Sequence, residues 1–505
     1  MANITELKNN LREIGLVDSM NRILNWDQQT YMPDGAAEFR AEQSSYMSRL
    51  FHRKLTGDTL RNNLKKFIDL ETGNLKKNEL STRNQRMLQE VYRDYRHAIS
   101  LPQDFVGKLA EAGSRSVQAW KKAKEADDFN LFRPHLEKMV NLEKQKAEYF
   151  GYEDKPLDAL LDFYEPGMTT KKVTELFVPV KERLTTLAER IKESGKEIDD
   201  SFMCNSYPES KQRKLSREML KTMGYDFDRG RQDVSAHPFT VGFHPTDTRF
   251  TNRFAEGCLA SSISSAVHEG GHALYEQGLN PDEFGNPLGE AISYGIHESQ
   301  SRLWENMVGA SRPYWQYWLP KLKEYFSDDL EGMTLGEWYR AYNKVEPSLI
   351  RVDSDEVHYN LHILVRFEIE DRLINSNFEV KHLPEIWNEK MEHYIGLKPE
   401  TDTQGVLQDI HWSWGQFGYF PSYSLGTFYS VQIFNQAKEE IPELMDLIAR
   451  GELIRLKEWL NENVHKLGRR FKAGELIKEL TGNEPSSDPF LDYLEEKYSQ
   501  IYDLS

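Results

Sequence analysis

Apolar residues recur along most of this chain at three- and four-residue intervals, the spacing of a buried stripe on an amphipathic helix. In LSTRNQRMLQEVYRDYRHAIS, Leu88, Val91, Tyr92 and Tyr95 form one such stripe among charged residues. The same pattern predicts helices near 103–126, 131–150 and 170–194. Thr169 and Thr170 offer an N-cap for the last of these, and Gly195 a stop. Helical patterns return at 208–223, 298–310, 354–375, 384–396, 425–440 and 452–466. No repeat of fixed period and no Pro/Gly/Ser-rich linker divides the chain, so a single domain over 1–505 is expected.

One stretch breaks the helical rhythm. QDVSAHPFTVGFHPTDTRFT, 232–251, mixes β-branched and aromatic residues with Pro and Asp. It predicts two or three short strands, with turns at His237-Pro238 and Pro245-Thr246, forming a small antiparallel sheet. An extended peptide can add itself to the edge of such a sheet through main-chain hydrogen bonds.

Composition narrows the setting. Of 505 residues, 39% are hydrophobic and 29% charged, the balance of a folded protein with long solvated helix faces. The formal net charge of −17 repels a phosphate backbone, so nucleic acid is excluded as a natural partner. Cys204 and Cys258 are too few for a disulfide framework or a Cys-based zinc site. The opening MANITELKNNLREIG is charged and amphipathic, without a secretory apolar core, and no eighteen apolar residues run together. These features predict a cytoplasmic protein with no membrane partner.

The chemistry centres on SSISSAVHEGGHALYEQGL, 261–279, which contains His268-Glu269-Gly270-Gly271-His272, an H-E-x-x-H match. Ser261 or Ser262 can cap a helix there, Ile263, Val267 and Leu274 supply its apolar face, and Gly278 can close it. On a helix, residues four apart share a face, so two imidazoles can grip one metal ion. Glu269 lies beside that face, within reach of a metal-activated water. Zinc lowers the water pKa toward about 7 and polarises the scissile carbonyl. The carboxylate takes the proton and passes it to the leaving amine. Each of two adjacent glycines costs a helix interior about 1 kcal/mol relative to Ala, which implies a close backbone approach.

A catalytic zinc needs a third protein ligand and an open position. No H-x-x-G-x-x-H extension follows His272, so the ligand is expected to be a carboxylate. Glu276, Glu283, Glu290, Glu298 and Glu305 are the candidates. Glu298 is favoured because Arg302, one turn on, can hold a neighbouring carboxylate.

Six short motifs then run in order: HPF at 237–239, DTRFT at 247–251, HEGGH at 268–272, HESQ at 297–300, IRVDSD at 350–355 and GVLQDIHW at 405–412. With NWDQQTYMP at 25–33, the chain resembles the carboxypeptidase Taq family of metallocarboxypeptidases over essentially its full length. The resemblance implies a mostly α, zincin-like (gluzincin) fold, forming a saddle-like homodimer with a deep groove. It implies helices to about 225, a catalytic part over about 226–430 and C-terminal helices beyond. It implies release of single C-terminal residues from peptides, with broad tolerance and poor action at proline. It carries metal binding onto His268, His272 and Glu298, and the acid/base role onto Glu269. The implied cofactor is one zinc ion per chain, or cobalt.

Exopeptidase action needs a fixed cation for the free carboxylate, and the forked guanidinium suits it. Arg351 in IRVDSD is the first choice and Arg249 in DTRFT the second, each with nearby aspartates (Asp353, Asp355, Asp247) that can instead make a structural ion pair. An oxyanion donor is also required. HWSWGQFGYFPSYSLG, 411–426, reads as a glycine-punctuated aromatic loop, with His411 and Tyr423 preferred over Tyr419 and His237. His237 remains a substrate contact. Gln300 and Asp355 are candidate partners for the ligands' ring N–H groups. His358 and His362 read as structural. Other readings of the same residues are an oligopeptidase, a dipeptidyl carboxypeptidase, or a silent peptide-binding scaffold, although the presence of Glu269 argues against the last.

Overall fold

Strong periodicity translates directly into helices. In the computed structural model, which describes residues 4–76, 80–235 and 237–504, helices occupy Thr82–Ser100, Gln103–Ala126, Phe129–Phe150 and Thr170–Glu193. The first three residues of the amphipathic opening and Ala236 of the strand-rich stretch lie outside the described residues. Thr169 caps the fourth helix, its hydroxyl accepting from the Lys172 amide at 3.3 Å, and Gly195 follows with φ +62°. The opening stretch forms a long helix, Ile4–Thr30, followed by Ala37–Thr56. Among the described residues no helix is long and apolar enough to cross a membrane.

The chain divides into two compact units, each assembled from three separate stretches. The first comprises residues up to Ile99, Asp200–Tyr339 and Ile433–Asn483. Leu7, Leu11 and Ile14 pack there against Leu60, Leu64, Met87, Leu88, Val91 and Tyr95, so the stripe read from the sequence is a core face, with Tyr92 partly buried against it. The second unit comprises Ser100–Asp199, Arg340–Gln432 and Glu484–Ser505. Phe105, Ala112, Met139 and Leu142 pair two of its helices, and Phe177 stacks on Phe367 at 5.6 Å.

The predicted sheet lies in the first unit as three strands: β1 (Gly230–Val234), β2 (Thr240–His244) and β3 (Asp247–Asn252). Its order is β1-β3-β2, and it is mixed rather than wholly antiparallel. β2 and β3 form a hairpin through the Pro245-Thr246 turn, as expected. β3 lies between β1 and β2 in the sheet, so the turn expected at His237-Pro238 does not join those two strands as a hairpin. The Ser235 hydroxyl meets Thr251 Oγ1 at 2.6 Å, and the Thr251 amide donates to the Phe239 carbonyl at 2.9 Å. β1, on the far side of β3 from β2, pairs with β3 in parallel.

Candidate active site

The H-E-x-x-H residues sit in the helix Leu259–Gly278, which buries Ile263, Val267 and Leu274. It starts after Cys258 with no side-chain cap, so neither Ser261 nor Ser262 serves as one. Gly271 explains the glycine pair. A Cβ there would lie 2.7 Å from Ser301 Cα and 2.8 Å from the Gln300 carbonyl oxygen. Only glycine lets this helix approach the backbone of Tyr294–Arg302, the helix that carries Glu298.

That contact brings three candidate ligand groups together. One donor atom each from His268, His272 and Glu298 lies within 4.8 Å of the others. His272 Nε2 is 3.6 Å from Glu298 Oε2. Atoms about 2.1 Å from a tetrahedral zinc lie about 3.4 Å apart, so this spacing fits, and two imidazoles with one carboxylate are a zinc-type donor set. Burial, with His297, His268 and Arg302 nearby, pushes the His272 pKa well below its usual value and keeps the ring neutral, as a ligand must be.

The surrounding groups fix these three side chains. Arg302 Nε donates to Glu298 Oε1 at 2.8 Å, leaving Oε2 toward His272. Beyond Arg302 the helix loosens into a π-helical run, Leu303–Gly309, which presents Glu305 to His268. Glu305 Oε2 lies 2.8 Å from His268 Nδ1, and its Oε1 accepts from Ser264 Oγ at 2.5 Å. Burial alone would lower the His268 pKa, but the Glu305 carboxylate lifts it to about 9. His297 stacks on the His272 ring at 4.4 Å and is itself held by Glu276 at 2.9 Å. Glu269 is buried beside the ligands, and Thr240 Oγ1, at the start of β2, donates to its Oε2 at 2.6 Å. Burial pushes the Glu269 carboxyl above its usual range.

The other carboxylates considered as ligands are engaged elsewhere. Glu276 holds His297, Glu283 pairs with Arg83, Glu290 with Arg469, and Glu305 with His268. Arg249 is gripped by Asp247 through two 2.8 Å bonds, the ion pair open to it in the sequence. His237 is exposed.

The second unit holds a cationic cluster. Arg351 donates to Asp409 Oδ1 through Nε (3.2 Å) and Nη2 (2.9 Å), and through Nη1 to Tyr359. Its partner is therefore Asp409, not Asp353 or Asp355. Arg366, completely buried, takes the other oxygen of Asp409 at 2.7 Å and Gln408 at 2.7 Å. Burial would raise the Asp409 carboxyl, but the two guanidiniums hold it well below the usual range. Two buried guanidiniums thus share one carboxylate. His411 and Tyr423 stand together, Nε2 to hydroxyl at 3.3 Å, and Asp409 lies 3.9 Å from His411 Nδ1. Burial lowers the His411 pKa to about 4, so its ring is neutral.

Comparison with known proteins agrees with this chemistry. The model of the carboxypeptidase Taq (M32) metallopeptidase family matches residues 6–498. The chain belongs to that family. It is 40% identical over 500 residues to thermostable carboxypeptidase 1 of Thermus thermophilus, covering 97% of each chain. It is 37% identical to carboxypeptidase 1 of Bacillus subtilis, again over 97% of each. The crystal structure of the M32 carboxypeptidase from Deinococcus radiodurans R1 superposes with a TM-score of 0.95 at 36% identity, covering 99% of both chains.

In this M32 metallocarboxypeptidase the structure brings together some of the residues that the sequence singled out. His268, Glu269, His272 and Glu298 converge, and His411 meets Tyr423. Gln300 and Asp355 do not hold metal-ligand rings. Gln300 Oε1 faces His465 at 2.9 Å, and Asp355 binds the His358 ring at 2.7 Å. His358 and His362 are buried, and His362 Nε2 meets the Ser348 carbonyl at 2.9 Å, consistent with their structural reading. Three contributors were not read from the sequence in the parts they play here. Glu305 stood among the ligand candidates, Thr240 follows the HPF motif directly, and Arg366 lies in a helix that reads as ordinary.

Proposed function

We propose that this metallocarboxypeptidase holds one zinc ion per chain on His268, His272 and Glu298 and removes single C-terminal residues from peptides. The observation that carries this reading is the convergence of two imidazoles and a carboxylate beside the buried Glu269. A zinc or cobalt ion held by those residues would supply Lewis-acid chemistry, lowering the pKa of a water toward about 7 and polarising the scissile carbonyl.

Glu269 takes the proton of the attacking water and delivers it to the leaving amine, with Thr240 fixing one carboxylate oxygen. Peptide backbone pairs along β2, an edge strand, with His237 and Arg249 as flanking contacts. Arg351 receives the terminal carboxylate. Its cluster supports this, because two buried guanidiniums against one carboxylate leave a positive charge that an incoming anion neutralises. His411 and Tyr423 donate to the developing oxyanion. Side-chain tolerance is broad, proline is cleaved poorly, and the enzyme works as a cytoplasmic homodimer.

The test is metal reconstitution with product analysis. Chelated enzyme given one equivalent of zinc per chain should release single amino acids stepwise from an unblocked peptide. Dipeptides or internal fragments would overturn the single-residue carboxypeptidase reading, and activity without metal would overturn the zinc reading.

A further inference from the structure

The segment from Gln408 to Tyr423 carries His411 and Tyr423 and is punctuated by glycines, yet it is gripped at four points by one helix, Tyr359–Asn375. Arg366 holds Gln408 and Asp409 at its start. One turn along, Glu370 holds its far end. Glu370 Oε1 accepts from the Trp412 indole N–H at 2.8 Å, and Oε2 from the Gly418 amide at 3.0 Å. Trp412 belongs to the 3₁₀ turn His411–Trp414, so the first bond pins the residue next to His411. Gly418, at φ +83°, is where the chain doubles back. A Cβ there would lie 2.8 Å from the Leu160 backbone, so its position is set by close approach.

Glu370 is fully buried, and the groups it binds are neutral N–H donors, not a cation. Burial is the main reason its carboxyl is pushed up to about 8, against the pull of Trp412, Gly418 and Arg366. Removing a carboxyl from water is costly, and an apolar residue would fill the core without that cost. What an apolar residue cannot do is satisfy two buried donors from both ends of one loop. The rings show what the clamp fixes: Trp412 stacks on Phe417 at 6.1 Å, and His411 stacks on Tyr419 at 5.6 Å.

We propose that Glu370 is a positioning residue for catalysis: by bracketing Trp412 and Gly418 it fixes the loop so that His411 is presented in one geometry to Tyr423, which stands in the helix Pro421–Glu440. This rests on the reading that His411 and Tyr423 serve the oxyanion. Glu370 touches no reacting atom. A Gln at this position keeps the volume, but it offers one acceptor where the loop presents two donors.

The experiment compares kcat and KM on an unblocked peptide for the wild type, Glu370→Gln, the His411→Ala/Tyr423→Phe double variant, and the triple variant. Metal content and thermal melts are recorded alongside. The double variant should lose about 10²–10³-fold in kcat. Glu370→Gln should lose at least about tenfold in kcat in the wild-type background, with KM within about twofold and full metal content, and it should lose nothing further in the double variant. An equal loss in both backgrounds, or no loss in the wild type, would overturn the proposal. A double variant with wild-type kinetics would instead sink the reading of His411 and Tyr423, and the clamp's catalytic role with it. Should Glu370→Gln fail to fold, Trp412→Phe, which deletes the indole donor together with the five-membered ring but keeps an aromatic side chain, is put through the same comparison, with the melts reporting its packing loss.

Discussion

Replacing Glu305 by Gln tests how much of the metal affinity lies outside the three converging residues. In the native site Glu305 makes three contacts: His268 Nδ1 at 2.8 Å, Ser264 Oγ at 2.5 Å and Arg302 Nη1 at 3.2 Å. The first turns His268 so that Nε2 is the nitrogen left to bind, and it makes that nitrogen more basic. The third sets Arg302, which also holds Glu298. Glutamine keeps the shape but removes the charge. A charge-assisted bond contributes about 1.5–3 kcal/mol and a neutral one about 0.5–1.5, so the loss is about 1–2 kcal/mol at His268 alone. The released Arg302 pulls further on Glu298 and adds to it. Zinc affinity, measured by competition with a chromogenic chelator, should therefore weaken about 10–100-fold. Activity at saturating zinc should fall much less. Affinity unchanged within about twofold would refute the reasoning, because the hydrogen bond would then contribute nothing to ligand orientation.

Gly271→Ala should lower both the melting temperature and zinc affinity. Its Cβ meets Ser301 Cα and the Gln300 carbonyl at under 3 Å, and forcing two helices apart costs about 1–3 kcal/mol; melts with and without zinc check this. Arg351→Ala should reduce kcat/KM by about 2–5 kcal/mol, thirty- to several-thousand-fold, and Arg351→Lys should not restore it, since lysine lacks the fork. Buried His411 and His465, with pKa values held at about 4 and about 3, are neutral in the folded chain. As pH falls below about 6.5 the unfolded chain takes up protons that the folded chain does not, so each residue removes about 2 kcal/mol of stability between pH 7 and 5. Urea unfolding at those two pH values should show a smaller decline in His465→Gln.

Much of this was legible in the sequence for identifiable physical reasons. A single helix with ligands at i and i+4 is a local object, so His268, Glu269 and His272 were readable from spacing alone. The glycine pair signalled a close helix crossing, and Gly271 makes one. Non-local features were not readable. Glu305 becomes a partner of His268 through a π-helical run, which breaks the 3.6-residue register used to judge which side chains face each other. Asp409, not the nearby Asp353 or Asp355, neutralises Arg351, because ion pairs follow the fold and not the chain. The parallel pairing of β1 with β3 places β3 between β1 and β2, an order that the local sequence at His237-Pro238, which reads as a simple turn, does not reveal.

The most direct test of the central claim follows one peptide in two forms, with a free and an amidated C-terminus, exposed to zinc-loaded enzyme and to its Glu269→Gln variant. Mass spectrometry of the products over time should show residues lost singly from the free acid, almost none from the amide, and neither reaction in the variant. Equal cleavage of the two peptides, or undiminished activity in Glu269→Gln, would contradict it.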